Sequence, residues 1–200
     1  MKKAFTMIEL LVVMVVGAIL SAVAVSKIHT SELIDAARSI ANDIRYTKIL
    51  ALGDDAYDGT NSYHNKYYRF TIASNKIYKI SKVEYNSKGT TPVLAEYAED
   101  FLNPDKRICD FEKDEACATR TAILKIKKYN ITFTPTTPTT TPASGLTPTD
   151  TIIFNELGEP LNFNQNPSGF KIEISKGSDI ACIYVEQYSG FVHIDRAACK

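Results

Sequence analysis

The chain has 200 residues, 44% of them hydrophobic, with 23 basic and 23 acidic side chains and a formal net charge of zero. That length accommodates a globular domain with a real core, and the neutral balance excludes a global field for nucleic acid or an acidic surface. The apolar residues are spread unevenly: residues 8–26 read IELLVVMVVGAILSAVAVS, and Glu9 is the single charge among them.

Met1-Lys2-Lys3-Ala4 is short and basic, and the apolar run from Leu10 to Ser26 is near the lower length limit for a helix that spans a bilayer. A positive flank of this kind predicts a cytoplasmic N-terminus and an exported remainder. An ionised carboxylate inside hydrocarbon costs about 2.5–3.5 kcal/mol at the bilayer centre and less near an edge, so Glu9 asks for a partner or for a route to the headgroups. A cleaved secretory signal is the alternative, with an A-x-A site at Ala22-Val23-Ala24. Against it, Glu9 sits where the apolar region should begin, and the helical pattern continues past Ala24.

From Ser31 to Leu52 the apolar residues Leu33, Ala37, Ile40, Ile44 and Ala51 fall mostly on one helical face. Glu32, Asp35, Arg38, Asn42, Asp43 and Arg45 supply a polar face. No Pro interrupts residues 5–52, and Gly53 is placed as a helix stop. The expectation is one helix about 70 Å long at 1.5 Å per residue, with an apolar half over 5–28 and an amphipathic half over 29–53.

Lys3-Ala4-Phe5-Thr6-Met7-Ile8-Glu9-Leu10 resembles the prepilin processing site of type IV pilins and pseudopilins. The resemblance implies a leader at 1–4, cleavage between Ala4 and Phe5 by a prepilin peptidase, and methylation of the new N-terminus at Phe5. Ala4 stands where the family usually has Gly. Glu9 becomes the fifth residue of the mature chain, and the family role implied for it is subunit assembly. Its carboxylate would pair with the Phe5 amine of a neighbouring subunit, turning two costly charges into one compensated pair.

Strands are predicted after Gly53, in an exported region at 54–200. Lys66–Ala73 and Lys76–Ile80 form a hairpin through Ser74-Asn75. Further strands are expected at 123–127, 131–133, 152–154, 170–174, 180–185 and 191–194. Several alternate apolar and polar residues, as half-buried antiparallel strands do. A helix followed by strands gives an α+β class, a pilin-like fold in which the Leu33/Ile40/Ile44 face packs on an antiparallel sheet. Cys109, Cys117, Cys182 and Cys199 all lie beyond the apolar segment, where two disulfides are expected. Three connectivities are open, and Cys109–Cys117 with Cys182–Cys199 is favoured because each closes a local loop. Thr134–Thr149, TPTTPTTTPASGLTPT, carries no charge and reads as an extended exposed loop, either a tolerated insertion or a glycosylated or partner-facing segment. The C-terminal pattern, Thr151–Phe154, Gly158, Phe170–Ile174, Ile180–Val185 and Ser189-Gly190-Phe191-Val192, is similar to GspH/FimT-type minor pseudopilins.

Other chemistries find little support. Zinc is set aside because there is no C-x-x-C pair and His29, His64 and His193 are scattered. Asp110, Glu112, Asp114 and Glu115, and separately Asp54, Asp55, Asp58 and Gly59, form acidic turns without EF-hand spacing and read as solvated loops rather than calcium sites. G-x-S-x-G, P-loop and H-E-x-x-H motifs are missing, the tyrosines read as strand packing, and no catalytic residue, cofactor or metal is assigned. Lys125, Lys127 and Lys128 with Tyr129 make a small basic patch, with Lys79, Lys82, Arg196 and Lys200 isolated. DNA affinity needs several phosphate contacts together, so a fibre-borne DNA-uptake protein is kept only as the alternative. The family resemblance implies a non-catalytic subunit of a type II secretion pseudopilus or a type IV pilus. It also implies other pilin subunits, the prepilin peptidase, an inner-membrane assembly platform and membrane lipid as partners. The location would be the bacterial inner membrane with a periplasmic domain, then the fibre.

Overall fold

A computed structural model describes residues 7–53, 66–73, 76–85, 92–110, 112–126, 128–135, 151–161, 167–195 and Cys199. One helix, α1, runs Met7–Gly53. The strands are β1 (Lys66–Ile72), β2 (Tyr78–Tyr85), β3 (Pro92–Tyr97), β4 (Glu99–Asp100) and β5 (Asn103–Arg107). A 3₁₀ turn, Thr119–Ala122, leads into a short helix α2 (Ile123–Ile126). Then come β6 (Asn130–Pro135), β7 (Thr151–Phe154), β8 (Pro160–Leu161), β9 (Phe170–Lys176), β10 (Asp179–Val185) and β11 (Val192–Asp195).

The strands form a five-stranded sheet in the order β3-β2-β1-β7-β8, a four-stranded sheet in the order β11-β10-β9-β6, and a β4-β5 ladder. Every strand pair is antiparallel. The class is therefore α+β. In β9, Phe170, Ile172 and Ile174 are buried while Lys171 and Glu173 are half-exposed, the period-2 pattern of a strand with one face on a core. β7 is buried at all four positions. Ile152 and Phe154 face the main core, and Ile153 joins Val83 and Leu161 in a small cluster on the sheet's other side.

The second half of α1 packs against β9, β10 and β11 of one sheet and β1 and β7 of the other. Leu33, Ala37, Ile40, Ile44 and Ala51 are all buried, so the apolar stripe read from the sequence is the stripe that meets the strands. Three particulars differ from the sequence reading. Residues 123–126 form α2, not a strand: after the 3₁₀ turn Leu124 drops into the core, and Lys128 at φ 53° turns the chain into β6. A short apolar run fits either period, so the local pattern could not separate the two. Thr134 and Pro135 belong to β6 and pair with β9, where a Pro is tolerated because β6 is an edge strand. The rest of the predicted Thr/Pro loop lies outside the described residues. Asp43, assigned to the polar face of the helix, is fully buried.

Two glycines are fixed by close approach. Gly190 has φ 59°, and a Cβ there would lie 2.3 Å from the Gly158 carbonyl oxygen. Gly158 has φ 73°, and its Cβ would crowd the Lys48 and Leu52 side chains. The β7–β8 and β10–β11 turns thus meet each other against the last turns of α1.

Candidate assembly helix and its anchorage

The first half of α1 presents an apolar surface to the outside. Each residue from Met7 to Ser21 is exposed, including Ile8, Leu11, Val13, Met14 and Leu20, and Glu9 stands among them. A helix of a globular protein buries one stripe, whereas a helix apolar on all sides requires a surrounding that is itself apolar. Exposed apolar surface on this scale marks an interaction with protein or membrane. Among the described residues no helix is long and apolar enough to cross a membrane. The side chains of residues 22–31 lie outside what is described, including those of the predicted signal-peptidase alternative at Ala22–Ala24, and the predicted Ala4–Phe5 processing site lies outside the described residues.

The second half is bound to the domain by more than its apolar stripe. Arg120, from the 3₁₀ turn, reaches under the helix. Its Nη1 donates to Asp43 Oδ2 at 2.6 Å, its Nη2 to Asp100 Oδ1 at 2.7 Å and its Nε to Asp100 Oδ2 at 2.8 Å. The Asp100 contact is the two-point fork that suits a guanidinium. Arg120 also stands 5.0 Å from the Phe101 ring centre, and Phe101 packs at 5.0 Å on Tyr46 of α1. Burial pushes the Asp43 carboxyl above the ordinary carboxylate range, against the pull of Arg120. Asp100 is also partly desolvated, yet its Arg120 bonds and the Leu102 amide hold it below that range. Burial works against the Arg120 charge, but the two carboxylates hold it firmly protonated. The Tyr78 hydroxyl, buried beside Asp43, is pushed up and stays neutral.

Weaker ties run along the same helix. Lys176 Nζ pairs with Glu32 at 2.8 Å, and the Tyr129 hydroxyl donates to the Glu32 carbonyl at 3.1 Å. Arg45 donates to the Val192 carbonyl and Lys48 to the Ser189 carbonyl, each at 2.7 Å. The sequence signal for this anchorage was slight: Asp43 looked like one more member of a solvated face, and Arg120 belonged to no motif. A tertiary contact 77 positions apart in sequence has no local periodicity to reveal it.

The four cysteines form two bonds, Cys109–Cys117 and Cys182–Cys199, with Cα separations of 5.1 and 5.8 Å. The acidic residues between the first pair are engaged locally. Asp110 accepts from the Glu112 amide and faces Lys79 at 3.9 Å, while Asp114 accepts from the Ala116 amide. Among the described residues there is no group of three or more His, Cys, Asp or Glu placed to hold a metal ion. The acidic turn at Asp54, Asp55, Asp58 and Gly59 lies outside the described residues. The basic patch is broken up as well: Lys125 pairs with Glu112, and the Tyr129 ring is buried. Lys127, Arg196 and Lys200 lie outside the described residues.

Among curated proteins and among solved structures, none matches this chain. A family model does match at the N-terminus, the prokaryotic N-terminal methylation motif over residues 1–25. That stretch holds Ala4, Phe5 and Glu9 and enters the exposed half of α1. The match covers 25 of the 200 residues and supports the resemblance of this N-terminus to that of type IV pilins and pseudopilins.

Proposed function

We propose that the protein is a non-catalytic structural subunit, a minor pilin or pseudopilin, built through its N-terminal helix into a type II secretion pseudopilus or a type IV pilus. Prepilin peptidase cuts between Ala4 and Phe5, and Phe5 is methylated. Before assembly the apolar half of the helix lies in the inner membrane, with the N-terminus cytoplasmic and the β-rich domain periplasmic. In the fibre, Glu9 pairs with the Phe5 amine of a neighbouring subunit. The observation that carries this reading is the methylation motif at residues 1–25 running into a helix that is exposed and apolar from Met7 to Ser21 and held by a packed domain from Leu33 onward.

The physical logic is a division of labour along one helix. Anchored at its C-terminal half, it transmits position to its free half. There, one carboxylate in an apolar surface has high cost alone and low cost when paired, which favours a single register between subunits. Mass spectrometry of the mature N-terminus tests the proposal. Methylated Phe5 is the expected start, and a chain beginning at Val25 would refute it in favour of a secreted protein.

A further inference from the structure

The Cys109–Cys117 loop is joined to α1 through Arg120. On one side, Cys109 is bracketed by the main chain: Ile108 donates to the Ala98 carbonyl at 2.8 Å, and Ile80 donates to the Ile108 carbonyl at 3.0 Å. On the other side, Arg107 donates to the Ala116 carbonyl and Ala118 to the Arg107 carbonyl, both at 2.8 Å, which zips the segment around Cys117 onto the end of β5. Thr121 Oγ1, fully buried, lies 3.0 Å from the Cys109 carbonyl oxygen across the loop and 2.9 Å from the Ala118 carbonyl oxygen, sharing its one proton between them. Between the cysteines, residues 112–116 are all exposed and add nothing to the core.

Arg120 lies three positions beyond Cys117, in a 3₁₀ turn of four residues, Thr119–Ala122, whose N-cap residue, Ala118, makes no side-chain cap hydrogen bond. Such a turn has little stability of its own. It is held by its buried residues Thr121 and Ala122 and by the loop that the Cys109–Cys117 bond closes behind it. We propose that the Cys109–Cys117 bond is an oxidation-set latch: closing it seats Arg120 between Asp100 and Asp43, and so locks α1 to the domain only once the chain has been oxidised.

The step is a thiol–disulfide exchange. The Cys109 and Cys117 thiols give up two protons and two electrons to the disulfide of a protein disulfide donor in the exported compartment. A sulfur–sulfur bond forms in the loop, the donor's bond breaks, and the donor leaves as a dithiol. In the folded protein Cys109 and Cys117 are 1% and 3% exposed. Exchange requires access of an attacking thiolate, so the bond once made is shielded, and the device works in one direction during maturation. This inference rests on the export of the domain given in the proposed function, and not on fibre assembly.

The test is amide hydrogen exchange over residues 40–47 of α1 in the full-length chain in detergent micelles. The Cys109→Ser/Cys117→Ser pair is expected to speed exchange there at least tenfold, and Arg120→Gln to do the same. Because both act through one contact, combining them should add less than about threefold. Factors that simply multiply, or a serine pair with wild-type exchange, would overturn the latch. If the serine pair does not fold, oxidative refolding of the wild-type chain decides. Protection of 40–47 should appear only in species that hold the 109–117 bond, and protection preceding that bond would overturn the proposal equally.

Discussion

Replacing Arg120 by Gln removes the cation that, among the described residues, touches both Asp43 and Asp100, which are 0% and 2% exposed. Three charge-assisted hydrogen bonds of 2.6–2.8 Å are lost, and so is the cation–π contact with Phe101. Removing one partner of a buried pair costs about 3–5 kcal/mol, because the remaining charge is left desolvated. The cost depends on pH. Burial already raises the Asp43 pKa in the folded state, and loss of Arg120 raises it further. A carboxyl whose folded pKa exceeds its unfolded pKa binds more protons when folded, so stability falls as pH rises from the unfolded pKa through the folded one. The variant should therefore lose less stability at pH 5 than at pH 8. Asp100 runs the other way in the wild type: its lowered pKa contributes stability that is present above the unfolded value and lost as pH falls through the folded one. Thermal unfolding of the oxidised full-length chain in detergent, followed by near-UV circular dichroism at pH 5 and pH 8, measures both effects. Arg120→Lys should fall between, since an ammonium cannot make the two-point fork to Asp100. A loss under about 0.5 kcal/mol, or one equal at both pH values, would refute the assignment of Asp43 as a buried charge held by Arg120.

Three further outcomes are expected. Ile44→Ala empties a fully buried position between α1 and the strands and should cost about 2–5 kcal/mol in the same unfolding assay; a change below about 1 kcal/mol would contradict the packing of α1 on the sheets. Gly190→Ala places a Cβ 2.3 Å from the Gly158 carbonyl oxygen at φ 59°, so it should destabilise by at least about 2 kcal/mol, whereas Gly177→Ala, at φ 64° but in open space, should cost less. Glu9→Ala should leave cleavage at Ala4–Phe5 intact, as read by mass spectrometry, yet reduce the fraction of the protein recovered in sheared fibres; normal incorporation would rule out the pairing role.

The parts of the structure that the sequence revealed are those carried by local repetition. The Leu33/Ala37/Ile40/Ile44 stripe repeats at helical spacing, and it is buried. The alternation in Phe170–Ile174 is a strand because one face meets a core. Other elements carry no such signal. β5 reads NPDKR and its side chains are mostly exposed, so pairing with β4 makes it a strand, not its own residues. At 123–126 four apolar and basic residues satisfy either period, and burial of Leu124 after a 3₁₀ turn decides for a short helix. The two-sheet arrangement was equally hidden, since antiparallel alternation says which face is inward but not which strand is the neighbour.

The sequence alone determined the character of the N-terminal end. A basic start, Ala4 and Phe5, Glu9 in an apolar run and an uninterrupted helical pattern are adjacent in the chain, so they are legible as linear features without a fold. The tertiary structure decided how that helix is held. Asp43 became a buried charge, and Arg120 its counter-charge, because folding brought residues 77 positions apart to 2.6 Å and withdrew them from water. No periodicity encodes such a pairing: desolvation makes the contact matter, and desolvation is a property of the assembled fold.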